Sequence, residues 1–187
     1  AQPALQWQGA TARFGAAYIA DEVSYAIAGH AALDAQAALH AGHDAVLLAC
    51  FGDPGLLALR ERARVPVIGL AQSSFEAAAR RGRFAVVTGG HAWAPMLDRF
   101  ARAHRLDANL VGIHTIDWTG AQIAADPDGA QGALLAAARL GIDGGAQSIL
   151  LGGAALTGLA PSLQPRLLVP VLVNVLLAAQ AVVDALA

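Results

Sequence analysis

The chain has 187 residues, 56% of them hydrophobic and 14% charged, with a formal net charge of −2. That composition excludes a disordered chain and supplies enough apolar residues for one substantial core or two small ones. Six arginines crowd into residues 60–83, but no long basic run with interleaved aromatics marks a nucleic-acid groove, so a solvated helix face is expected there and no nucleic-acid partner.

Along the chain, short apolar runs alternate with longer helical ones. The first strand is predicted at 6–13, followed by a helix over 21–41 with Val23, Ile27 and Leu33 on one apolar face. Strands follow at 45–50 and 65–69. The stretch "SSFEAAARRG" then opens a helix with a capping box, Ser73 to Glu76, and closes it on Gly82. Strands at 84–88 and 110–116 come next, and "DPDGAQGALLAAARLG" opens a helix on Asp126-Pro127 and closes it on Gly141. The last strands are predicted at 147–152 and 169–173. Several of these runs, "AVLLA" and "SILLG" among them, lack polar alternation, as parallel strands covered on both faces do. An α/β protein is specified.

The carboxyl-terminal stretch "LLVPVLVNVLLAAQAVVDALA" carries no charge from Leu167 to Val183 and approaches the length of a membrane span. Pro170, Asn174 and Gln180 interrupt it, and a β-branched run followed by an Ala-rich run reads as a buried strand leading into a packed helix. No membrane partner is expected. A single cysteine forms no internal disulfide, and no signal-like segment opens the sequence, so a reducing compartment, the cytoplasm, is expected. The apolar terminal helix leads us to expect a homo-oligomer.

The chain also echoes itself. "DAVLLACFGDPGLLALRERARVPVIGL" (44–70) matches "QSILLGGAALTGLAPSLQPRLLVPVLV" (147–173), with Leu47 on Leu150. On the same offset "VGIHTID" (111–117) falls on "QGATARF" (8–14), whereas the counterpart of strand 84–88 would precede residue 1. The pattern predicts two pseudosymmetric α/β lobes, each a parallel sheet flanked by helices, the first without its leading strand. The first lobe is expected over 1–81, completed by helix 175–187, and the second over 82–174.

In open parallel sheets ligands bind beyond the carboxyl ends of the strands. That rule selects Cys50, Phe51 and Gly52, then Thr88, Gly89 and Gly90, then Gly152, Gly153 and Ala154. Asp53 reads as a helix N-cap and Pro54 as the first helical residue, which sets Cys50 just ahead of a helix amino terminus, where the dipole lowers a thiol's pKa. The lone cysteine is therefore predicted to be a nucleophile or proton-transfer base rather than a buried structural thiol. Thr88 with the amides of 89–90 is read as a cradle for a carboxylate or oxyanion. His91 is a candidate second acid, while His114, within a strand, and Asp117, near its end, have structural readings. No metal-ligand cluster is read.

"ARFGAAYI", "GHAALDA", "DAVLLACFGDPGL", "PVIGLAQSS" and "ADPDGA" resemble the aspartate/glutamate/hydantoin racemase superfamily, nearest its hydantoin racemase branch. The resemblance implies two lobes with the site between them, no cofactor, a small substrate bearing a carboxylate or hydantoin ring, and proton transfer at the substrate's α-carbon by two cysteines on opposite faces. The first of these falls on Cys50, but the second falls on Gly153 in "LGGAA". A carbanion reprotonated from one face keeps its configuration, so inversion needs another acid, His91 or a bound water. The expected function is a cofactor-independent isomerase. The alternatives are a one-cysteine decarboxylase of the arylmalonate type and an inactive binder of small carboxylates.

Overall fold

A computed structural model describes residues 5–39 and 42–187; residues 1–4, and His40 and Ala41 at the end of the expected first helix, lie outside the described residues. The elements run α1 (Glu22–Ala38), β1 (Val46–Leu48), α2 (Leu56–Arg62), β2 (Val67–Gly69), α3 (Leu70–Ala79), β3 (Phe84–Gly89), α4 (Trp93–Ala103), β4 (Leu110–Ile116), α5 (Gly120–Ala125) and α6 (Pro127–Asp143). They continue with β5 (Ser148–Gly152), a 3-10 turn (Ala154–Leu159), α7 (Ala160–Leu163), β6 (Val171–Val173) and α8 (Asn174–Ala185). The fold is α/β, with two parallel sheets flanked by helices: a two-stranded sheet β1-β2 and a four-stranded sheet in the order β4-β3-β5-β6.

Strand periodicity builds the larger core. Ala85, Val87, Ile149 and Leu151 face α6, where Leu134, Leu135 and Ala138 cover them. Phe84, Val86 and Leu150 point the other way, onto Phe75 of α3, Leu97 of α4 and Ala178 of α8. Both central strands, β3 and β5, are buried along their whole length, which explains their uninterrupted apolar sequence. The uncharged carboxyl-terminal run is β6 followed by α8, which packs on α3 and on both strands of the first sheet. Among the described residues no helix is long and apolar enough to cross a membrane.

Four expectations are corrected. Residues 6–13 form no strand. Neither parallel sheet includes them: the first is β1-β2 and the second β4-β3-β5-β6. Helix α1 buries only part of its expected apolar set: Leu33 packs against Leu56, Leu59 and Val67, but Val23 is 69% and Ile27 43% exposed, and the buried residue is Ala31. Ser73 does not cap a helix. Helix α3 starts earlier, at Leu70, and the Ser73 and Ser74 hydroxyls donate back to the carbonyls of Gly69 and Leu70, both at 2.6 Å. Finally, α6 runs through Gly141 to Asp143, although Asp126 caps it as expected, accepting from the Gly129 amide at 2.9 Å.

Gly141 is a packing residue. A β-carbon there would lie 2.5 Å from that of Ala85 on β3, closer than real contacts allow. Gly141→Ala is expected to destabilise by about 1–3 kcal/mol through overpacking, outweighing the roughly 1 kcal/mol that Ala gains over Gly inside a helix. The urea midpoint of the variant measures the balance, and an increase would contradict this packing.

Candidate functional site

The carboxyl ends of β1, β3 and β5 open onto one cavity of about 1690 Å³. Cys50 and Phe51 line it from the first sheet, and Thr88, Gly89, Gly152, Gly153 and Ala154 from the second. The two sets meet directly, because a β-carbon on Gly152 would come within 2.8 Å of the Phe51 ring. The cavity also runs along β1 beneath residues 5–12, occupying the space beside that strand's unpaired edge. This extension makes it larger than the roughly 300–1,000 Å³ typical of a small-molecule pocket.

The turn after β1 is built differently from its sequence reading. Helix α2 begins only at Leu56, capped by the left-handed Gly55, and neither Asp53 nor Pro54 starts it. Asp53 instead reaches across to α3, its carboxylate accepting from the amides of Ala71 at 2.8 Å and Gln72 at 2.7 Å. It caps the helix that follows the next strand. Its own amide donates to the Cys50 carbonyl at 3.1 Å, and the Tyr25 hydroxyl donates to the Gly52 carbonyl at 2.6 Å. Cys50 therefore sits in a pinned turn that does not lead directly into a helix, and the predicted lowering of its pKa is overturned. Burial, with the Asp53 charge adding to it, pushes the thiol up to about 11. Burial likewise pushes the Asp53 carboxyl up to about 7, despite the two amide bonds that favour its charged form.

The predicted anion cradle is also engaged within the protein. The Thr88 hydroxyl donates to the Gly152 carbonyl at 2.6 Å, tying β3 to β5, and the Gly90 amide donates to Ile116 at 3.0 Å. Thr88 can offer a ligand lone pairs only, which a carboxylate would oppose. Gly52, Gly90 and His91 are not among the residues lining the cavity. His91 is 67% exposed, with Nδ1 2.9 Å from the Thr115 hydroxyl and Nε2 3.7 Å from Asp117. His114 lies in β4, away from the cavity, where burial lowers its pKa. Sequence reasoning missed Tyr18 and Trp93, which line the cavity from opposite ends of the chain's first half. Neither is among the predicted site residues, although Tyr18 falls within "ARFGAAYI", and both reach the cavity through tertiary packing.

These strand ends define a two-sheet α/β protein with a single thiol at a cavity shared by both sheets. The chain belongs to the Asp/Glu/hydantoin racemase family, whose model matches residues 1–182. It is 33% identical over 133 residues to a hydantoin racemase of Rhizobium meliloti, an alignment covering 70% of this chain and 55% of that protein. The chain thus spans about half the length of the curated relatives it matches. Allantoin racemase from Pseudomonas fluorescens superposes with a TM-score of 0.90 at 26% identity, over 96% of this chain and 77% of that one. Allantoin racemase from Klebsiella pneumoniae gives 0.84 at 31% identity, over 94% and 72%.

Two measurements follow from the turn. Cys50 is the only cysteine, so alkylation reports it alone. Its rate at pH 7 is expected to be about 100-fold below that of a free thiol, because two units of pKa cut the thiolate fraction by that factor. A plateau reached below pH 8 would contradict the raised pKa. For Asp53, the folded state holds the proton more tightly than the unfolded chain. Its contribution to stability is therefore complete below about pH 4 and is lost as pH rises through about 7. Urea midpoints between these pH values should fall in the wild type and flatten in Asp53→Asn.

Proposed function

We propose that this chain is a cofactor-independent racemase acting on a neutral, hydantoin-like ring, with Cys50 exchanging a proton at the substrate's α-carbon. The observation that carries this reading is the Cys50 turn itself, in the "ACFGDPGL" segment, opening onto the cavity it shares with Gly153. Family membership and the hydantoin and allantoin racemase relatives support the reaction class.

The choice of a ring over a free amino acid comes from the cavity wall. Among the described residues no Arg or Lys lines it, and the Thr88 hydroxyl and Gly90 amide are engaged. A carboxylate would lose its hydration without a charged partner there. A ring with amide groups demands only neutral hydrogen bonds and apolar walls, which Phe51 and Leu156 provide. With its raised pKa, Cys50 rests as a thiol, the form that returns a proton to a planar carbon; the thiolate that removes one becomes more abundant as pH rises. A lone thiol suits a reducing compartment such as the cytoplasm. Leu176 on α8, 66% exposed, suits burial between subunits of a homo-oligomer.

The test is incubation with 5-substituted hydantoins in deuterated water. Deuterium at the α-carbon and loss of optical rotation are expected, and Cys50→Ser should slow the loss of optical rotation by about 100-fold or more, the usual contribution of a proton-transfer residue. An undeuterated substrate after long incubation with wild-type protein would refute the reading.

A further inference from the structure

Inversion requires proton-transfer groups on both faces of the α-carbon, and Gly153 offers no side chain for the second. The titratable side chains among the described lining residues are Tyr18, His43, Asp44 and Cys50. His43 and Asp44 precede β1 and so lie at the amino end of the strand whose carboxyl end carries Cys50. Tyr18 is placed otherwise. Its hydroxyl donates to the Gly89 carbonyl, at the carboxyl end of β3, over a long 3.3 Å. Its ring lies on Gly120: a β-carbon built there would be 3.0 Å from the ring and 3.9 Å from the Ala155 methyl, in the turn that follows Gly153. Although it comes from the first half of the sequence, Tyr18 presents its phenol among the strand ends of the second sheet, on the side where the partner side chain is missing.

Trp93 touches both this phenol's neighbourhood and the turn that follows the thiol. A β-carbon on Gly90 would touch the Tyr18 hydroxyl at 3.0 Å and Cδ1 of Trp93 at 3.5 Å. A β-carbon on Gly52, two residues past Cys50, would lie 2.7 Å from Cζ3 at the other edge of the same indole. The indole is itself fixed, its Nε1 donating to the Ile19 carbonyl at 3.1 Å, which also anchors the segment bearing Tyr18. The two edges of one indole thus meet Gly90 beside the phenol and Gly52 beyond the thiol.

We propose that Tyr18 is the second proton-transfer residue, serving the face of the substrate that Gly153 leaves bare. The assignment rests on the proton-transfer reading above. In one direction the Cys50 thiolate forms an S–H bond as the α-C–H bond breaks, and the electron pair passes into the ring carbonyl. The phenol O–H then breaks to form the new C–H bond on the other face, leaving a thiol and a phenolate. The opposite enantiomer runs the same steps in reverse.

The experiment follows α-carbon deuterium uptake and optical rotation separately from each enantiomer of a 5-substituted hydantoin, in wild type, Cys50→Ser and Tyr18→Phe. Tyr18→Phe removes one oxygen and keeps the ring on Gly120, and circular dichroism verifies that it folds. Both variants are expected to lose racemisation by about 100-fold or more. Each should retain exchange from only one enantiomer, and not the same one. Racemisation by Tyr18→Phe at the wild-type rate, or exchange from the same enantiomer as Cys50→Ser, overturns the assignment and leaves the role of Cys50 standing. Absence of exchange in the wild type overturns the proton-transfer reading and the assignment together.

Discussion

The buried Asp53 carboxylate, accepting from the amides of Ala71 and Gln72, joins the turn that carries the thiol to the first turn of α3. Hydrogen bonds to a charged group contribute about 1.5–3 kcal/mol each, and here they offset part of the cost of burying a carboxylate without a cationic side chain bonded to it. The same helix sends Phe75 into the core against Phe84 of the second sheet. A chain of contacts therefore runs from the thiol turn through one carboxylate and one helix to the strands on the far side of the cavity. The position of Cys50 is registered to the second sheet, although its own sheet has only two short strands.

Around the cavity, most polar groups of the strand ends are already occupied by one another. Thr88 bonds Gly152, Gly90 bonds Ile116, Tyr18 bonds Gly89, and Trp93 bonds Ile19. This arrangement satisfies groups that would otherwise be buried without partners, and it makes the walls stiff. Of these contacts the Tyr18 bond is the longest, so its phenol is the polar group that an entering ligand displaces at least cost.

The sequence made the architecture legible where burial acts on both faces of a strand. β3 and β5 lie where their apolar runs predict, because parallel central strands carry a continuous signal, and the edge strand β4 also falls at its predicted place. The repeat between 44–70 and 147–173 located the two strand ends that bear Cys50 and Gly153. What failed were inferences that needed a partner distant in sequence. Residues 6–13 have strand-like composition but form no strand. Asp53 has the composition of a cap, but nothing local told which helix it would cap. The thiol's pKa followed from that same error, since a dipole argument requires the helix to begin where the cap is read. His91 looked like an acid at a strand end, yet its side chain turns outward to Thr115 and Asp117.

Gly153 has φ +119°, a conformation that side-chain-bearing residues rarely adopt, although the space around it is nearly open, with only the Leu156 side chain at 3.3 Å from a β-carbon built there. Emptiness at this position is written into the main chain rather than imposed by crowding. Any replacement, another sulfhydryl included, would carry a conformational penalty of order 1–3 kcal/mol unless the loop rearranged. The asymmetry between the two halves is thus a property of the backbone, and it would resist reversal by a single codon.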